Sequence, residues 1–326
     1  VFRDDRGIAQ AMGQTFSVTA KGNSPVSVQP TLNMGHNCPA RKICITPRRA
    51  KRTARTMLHA IPGWLIPKLV EKHLNLYFIV STGRTGTKFF ARLFRHIDSI
   101  RGYHEPDPTF LEEALAYAQG RVSDSGVAQL ISRNRRVLFL EAHLKGCSAY
   151  VESNNRLFSL IGPLKKRFPH AGIIHIVRDG RDYVRSGMSR NWYTETDRGP
   201  RLRADMFPDD PLSTRWDEMT RFEKVTWLWQ KKDGVISDAV DGVDNTVTVK
   251  FGDIFCNPDK SGLFEITRFI GLSDQQVHNA LQEMGSWKPN KTTAHTIPKW
   301  TEWSDAMLAD FDRIAGHHMR RHGYGQ

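Results

Sequence analysis

The sequence predicts an α/β fold with three layers, α/β/α, on a central parallel sheet that opens with a P-loop-like strand–loop–helix. Three observations predict it. Two short runs, "LYFIVS" (76–81) and "GIIHIV" (172–177), are apolar and β-branched enough for strands buried on both faces. Each leads through a turn into a helix-patterned segment. From there to the C-terminus strand-like and helix-like segments keep alternating, with no internal repeat.

Taken in order, Leu76–Ser81 reads as a strand and Gly86–Ile97 as a helix, since Phe89, Phe90, Leu93, Phe94 and Ile97 recur at helical spacing. Phe110–Gln119 and Gly126–Ser132 read as helices, Val137–Leu140 and Ala149–Val151 as short strands, and Asn154–Phe168 as a helix. After the strand Gly172–Val177 a helix starts near Arg181. Trp216–Ala239 is expected to be one long helix, on which Trp227 and Trp229 cannot share a face. Thr246–Phe251 is a strand; Leu263–Ile270, Asp274–Glu283 and Ser304–Arg320 are helices.

Residues 1–55 have a different composition. No acidic residue occurs from Gly7 to Val70, and Ser, Thr, Gly and Pro are frequent. Such a segment cannot bury enough apolar surface to offset ordering, so 1–55 is expected to be a disordered basic segment and 56–326 the folded domain, with Met57 a sensible beginning. Val1 in place of Met hints at a fragment, and the Arg cluster "RRAKRTAR" lies far from where a transit peptide would carry it. The net charge of +13 suggests a polyanionic partner. Residues 1–56, however, hold ten Lys/Arg against Asp4 and Asp5, a net of +8, which leaves +5 for the rest and fits one small polyanion. Cys38, Cys44, Cys147 and Cys256 show no CxxC and no metal spacing, so free thiols in a reducing, cytoplasmic setting are expected. No run is long and apolar enough for a transmembrane segment; "MLHAIPGWLIPKLV" is broken by Pro62, Gly63 and Pro67.

The first candidate site is the turn Ser81-Thr82-Gly83-Arg84-Thr85-Gly86-Thr87-Lys88. Successive backbone N–H groups in such a turn converge on an anion, and Thr85 and Thr87 add hydroxyls. An NTPase loop ends Gly-Lys-Ser/Thr. Here Thr87 stands where that lysine belongs and Lys88 where a magnesium-binding hydroxyl belongs, which disfavours metal-dependent ATP or GTP chemistry. The second site is "IVRDGRDYVRS": Arg178 at a strand's carboxyl end offers a guanidinium fork and Ser186, eight residues on, a hydroxyl. Arg178-Asp179 and Arg181-Asp182 could instead be surface ion pairs that cap the helix.

Together the two stretches resemble the sulfotransferase family that uses 3′-phosphoadenosine 5′-phosphosulfate (PAPS) and releases adenosine 3′,5′-bisphosphate (PAP). Its members carry Lys or Arg, then Ser/Thr-Gly-Thr, at the 5′-phosphosulfate, matched by Arg84-Thr85-Gly86-Thr87. They carry Arg and a Ser eight positions on at the 3′-phosphate, matched by Arg178 and Ser186. "VKFGDIFCNPDKSGLFEITRFIGLS" and the closing "HHMRRHGYG" are similar to later family segments, and the likeness spans about residues 74–326. The resemblance implies sulfuryl transfer without a metal to a small-molecule or glycan acceptor, with Arg84 stabilising charge on the bridging oxygen. It also implies a base. Asn154 stands where one branch has His and cannot serve; Glu105 in "RGYHEPDPTFLEE" is the first candidate, followed by His104 and Glu152. Phe89 and Phe251 are candidates for the adenine, or core residues; Trp287, Lys288 and Lys291 fall where the family closes a basic loop, and Lys88 is a further cation for the 5′-phosphate. A P-loop kinase or NTPase and a basic nucleic-acid-binding protein are the rival readings; the first is opposed by Thr87/Lys88, and no nucleic-acid partner is expected of the second's disordered tail.

Overall fold

In a computed structural model, the described residues are 73–286 and 295–325. The N-terminal segment 1–55, with Cys38 and Cys44, and the loop holding Trp287, Lys288 and Lys291 lie outside them. The described residues form a parallel sheet ordered β2-β3-β1-β4-β5, from β1 (Asn75–Ser81), β2 (Ile100–His104), β3 (Ala149–Ser153), β4 (Gly172–Val177) and β5 (Thr246–Lys250). The chain turns toward β2 after β1 and toward β5 after β4, so these neighbours form a switch point, where α/β sheets bind ligands at the carboxyl ends of their strands.

Strand alternation divides the core. Leu76, Phe78 and Val80 of β1 face one helical layer, made by α2 (Leu111–Ala118), α3 (Asp124–Leu144), α4 (Ile161–Arg167) and α6 (Arg221–Val240). Ile79 of β1, with Ile174, Ile176 and Val249, faces the other, made by α1 (Lys88–Leu93), α7 (Phe251–Phe255), α8 (Ser261–Phe269) and α9 (Asp274–Met284). A third cluster joins α5 (Gly180–Met188) and α6 to α10 (Asp305–Arg321). The three layers expected from the sequence are present.

Four elements differ from expectation. The helix expected over Asn154–Phe168 is broken, with a 3₁₀ turn at Asn155–Leu157 and α4 beginning only at Ile161. Val137–Leu140 is not a strand but part of α3, which is continuous from Asp124 to Leu144. Its buried stripe runs Val127, Ile131, Arg135, Leu138, Phe139, Ala142, and a buried arginine at one position hides the apolar period. β2 went unrecognised because "IRGYH" has only Ile100 fully buried. The long helix starts at Arg221 instead of Trp216, where Thr220 and Glu223 close a reciprocal capping box. As expected, Trp227 and Trp229 point apart: Trp227 packs edge-on to Trp216 at 5.2 Å, Trp229 near Phe311 at 6.5 Å. Cys147 and Cys256 are unpaired. Among the described residues no helix is long and apolar enough to cross a membrane.

A buried charge network pins α10. Asp233 of α6 and His175 of β4 are both fully buried, 3.8 Å apart, and His318 and His322 of α10 lie 3.2 and 2.8 Å from Asp233 Oδ2. Burial pushes the His175 imidazole down to about 4, so it is neutral at pH 7. Burial opposes ionisation of Asp233 too, but the hydrogen bonds from His318 and His322 outweigh it and hold the carboxyl at about 2. Both folded values are depressed, so both groups bind protons more readily when unfolded and stability falls on acidification. The loss should begin below the usual 6.5 of His175 and continue through the carboxyl range toward about 2. Urea melts at stepped pH should show it, and Asp233→Asn should flatten the acid limb, by on the order of 2 kcal/mol.

Candidate active site

The carboxyl ends of all five strands deliver the candidate residues. β1 ends in the loop 82–87, with Gly83 and Gly86 at φ 106° and 69° and Arg84 itself in the left-handed region at 62°. The loop is braced from within, since Ser81 Oγ accepts from Thr85 Oγ1 at 2.7 Å and from the Gly83 N–H at 3.2 Å. Among the described residues, none accepts a hydrogen bond from the backbone N–H groups of Arg84 through Lys88. They form the array of free donors that an anion nest requires. Lys88 is exposed at the start of α1.

β4 ends at Arg178, beside that loop. Arg178 Nη1 donates to the Arg84 carbonyl at 2.6 Å, and Arg84 Nε donates to Ser186 Oγ at 3.0 Å. The two anion motifs, 94 and 102 residues apart in the chain, are therefore one constellation. Trp229 Nε1 donates to the Arg178 carbonyl at 3.2 Å, and the guanidinium rests on the Phe251 ring 4.8 Å from its centroid. Among the described residues, none accepts from the buried Arg178 Nε, an orphaned donor that an anion could satisfy. The ion pairs around it cross the expected ones: Arg181 forks Asp179 at 2.7 Å, and Asp182 is 3.9 Å from Arg178. Burial, then the nearby Arg190 and Arg178, lowers Arg84 to about 10, which still leaves it charged at pH 7.

β2 and β3 supply the acid–base candidates. Glu105 follows β2 at φ 42°; Asn155 Nδ2 donates to its Oε1 at 2.8 Å, and Arg156 Nη2 is 3.4 Å from its Oε2. Asn155 in turn packs on the loop, 3.7 Å from the position a Gly83 Cβ would take. Glu105 is thus one side chain away from the nest. His104 Nδ1 lies 3.2 Å from the Ser153 carbonyl, which can only accept, so Nδ1 carries the proton and Nε2 is the basic nitrogen. Burial lowers its pKa and keeps it neutral.

Two candidates sit elsewhere than their motifs suggest. Glu152 is fully buried and accepts from Arg135 Nε and Nη2 at 2.7 and 2.9 Å, Tyr150 OH at 2.7 Å and Asn154 Nδ2 at 2.9 Å. Sealed and saturated, this carboxylate has no path to a substrate proton. Phe89 is buried and packs edge-on to Phe90 and Phe255 at 5.4 and 5.2 Å, a core position that cannot face an adenine. Phe251, half-buried, backs Arg178. The sequence reading missed Asn155 and Arg156; their place just past a strand's carboxyl end was the available signal.

Residues 77–275 match the model of the sulfotransferase family. No curated protein matches the chain. Among solved structures it is similar to sulfotransferase STF1 from Mycobacterium tuberculosis H37Rv, at 13% identity and TM-score 0.45, over 85% of this chain and 88% of that one. It is also similar to a sulfotransferase from Alicyclobacillus acidocaldarius (14%, TM-score 0.41, 75% and 92% covered) and to STF9 from Mycobacterium avium (11%, TM-score 0.44, 83% and 80% covered). A family match over more than half its length places the chain: it belongs to the sulfotransferase family.

Proposed function

We propose that this sulfotransferase takes its sulfuryl group from PAPS and passes it in line to a hydroxyl or amine of an acceptor, without a metal. One observation carries the reading: the Arg84–Thr87 loop and the Arg178/Ser186 pair meet through the Arg178–Arg84 and Arg84–Ser186 hydrogen bonds at the switch point of the sheet. The free N–H groups from Arg84 to Lys88 suit the 5′-phosphate, with Thr85 and Thr87 in the same turn and Lys88 as an added cation. The unsatisfied Nε of Arg178 and the Ser186 hydroxyl suit the 3′-phosphate. When bound, PAPS supplies the sulfuryl group and a phosphate leaving group. Arg84, charged and steered by Ser186, stabilises negative charge at the leaving oxygen, and because it stays protonated it acts as a fixed cation. Glu105, oriented by Asn155 and Arg156, takes the acceptor's proton as transfer proceeds.

Calorimetric titration tests the donor. PAP should bind more tightly than AMP; equal binding rejects PAPS as donor. Arg178→Ala should cost about 1.5–3 kcal/mol of PAP affinity and erase the preference for the 3′-phosphate.

A further inference from the structure

Resting on that reading, we infer that the acceptor carries its own negative charge, a carboxylate, sulfate or phosphate, bound by Lys232 and Arg156 beside Glu105. Lys232 lies in the middle of α6 with its ammonium 4.7 Å from the centroid of the fully buried Phe158 ring. It makes no hydrogen bond and no ion pair with any described residue, whereas cations around it are neutralised. Lys231 pairs with Asp210 at 3.3 Å, Arg201 forks Asp197 at 2.6 and 3.0 Å, and Arg203 forks Asp205.

The electrostatics locate it. Burial, then repulsion by Arg201 and Arg156, pushes Lys232 down to about 8, and Glu105 alone pulls the other way. The ammonium sits over Phe158, two residues along from Arg156, which holds Glu105, while Arg201 is already paired with Asp197; Glu105 is the carboxylate assigned to take the acceptor's proton. A half-buried ammonium over an apolar ring among like charges is costly, and an anion placed there relieves the cost. Arg156 is free to share it: Nη1 donates to Thr109 Oγ1 at 2.8 Å, while Nη2 holds Glu105 only at 3.4 Å.

The adjoining surface has the same character. Arg201 also lines a cleft of about 260 Å³ whose other walls include Tyr193, Thr194, Asp197, Arg203 and Lys224. Lys224 lies 5.4 Å from the Trp216 ring centroid. Such walls, with the Tyr193 and Trp216 rings among them, suit a polar anion that can also rest on an aromatic face.

Pyridoxal 5′-phosphate probes the site without turnover, because its aldehyde condenses with a neutral lysine amine, releasing water, while its phosphate supplies the anion. After borohydride reduction of the imine and peptide mapping, full-length protein should carry the label at Lys232 before other lysines, with or without PAP. Labelling there should exceed that by pyridoxal, which lacks the phosphate, by about tenfold. Equal labelling by the two aldehydes overturns the proposal. In the turnover arm, labelled PAPS is offered with acceptor pairs that carry the same hydroxyls and differ in charge, 4-hydroxybenzoate against its methyl ester and methyl glucuronide against its methyl ester. The acid of each pair should have the higher kcat/KM, and Lys232→Met should abolish the difference while PAP affinity is unchanged. Preference for the neutral member, or a preference for the acid that survives Lys232→Met, also overturns it. Failure of PAP to bind would reject the donor reading alone, since the labelling in its absence still reports on Lys232.

Discussion

Glu105→Gln should lower kcat by about 10²- to 10⁴-fold, the range for loss of a positioned general base, with PAP affinity unchanged. The amide keeps the shape and its oxygen can still accept from Asn155, while the ion pair with Arg156 is lost together with the basicity. Titration with PAP beside single-turnover sulfuryl transfer separates the two effects. Retained turnover would move the base to the free Nε2 of His104, and His104→Ala would then carry the loss. Glu152 is excluded from this test by its surroundings, because every donor around it is already committed.

Arg135→Met should destabilise the fold by about 3–5 kcal/mol, since it strands the Glu152 carboxylate in the core. Both side chains are fully buried, and the pair ties α3 to β3. Arg135 Nη2 also donates to the carbonyls of Pro106 and Pro108 at 3.1 and 2.9 Å, the stretch that follows Glu105. Its loss should therefore loosen the base as well as the core. Urea denaturation measures the stability term. The double change Arg135→Met with Glu152→Leu should recover much of it, because a buried ion pair contributes little beyond what well-packed apolar groups supply. Turnover should stay low in the double variant, as the Pro106 and Pro108 carbonyls still lack their donor. Recovery of stability without recovery of rate would separate the two roles of Arg135.

The segments that were legible in the sequence are those whose signal is local. β1 and β4 announce themselves by β-branched runs, and the loop after β1 by its small residues and glycines. The two anion motifs were readable because each is contiguous. Where a polar residue occupies a buried position, the pattern misleads: Arg135 breaks the apolar stripe of α3, and Glu152 reads as an available carboxylate although Arg135 encloses it. Phe89 was open to two readings, since an aromatic beside a loop has the same sequence signature whether it faces a ligand or the core, and it packs in the core.

By itself, then, the sequence determined the layered α/β class and the strand–turn–helix units that carry the small-residue loop after β1 and the Arg178–Ser186 stretch after β4. Local propensity and spacing suffice for these, because each lies within one strand–turn–helix unit. Only the tertiary structure decided which units touch. The strand order β2-β3-β1-β4-β5 sets Arg178 against Arg84, and the folded chain brings Asn155 between Glu105 and Gly83 and the Lys232 ammonium of a distant helix over the Phe158 ring. Those meetings depend on contacts between residues 50 or more positions apart, and no window along the chain contains both partners.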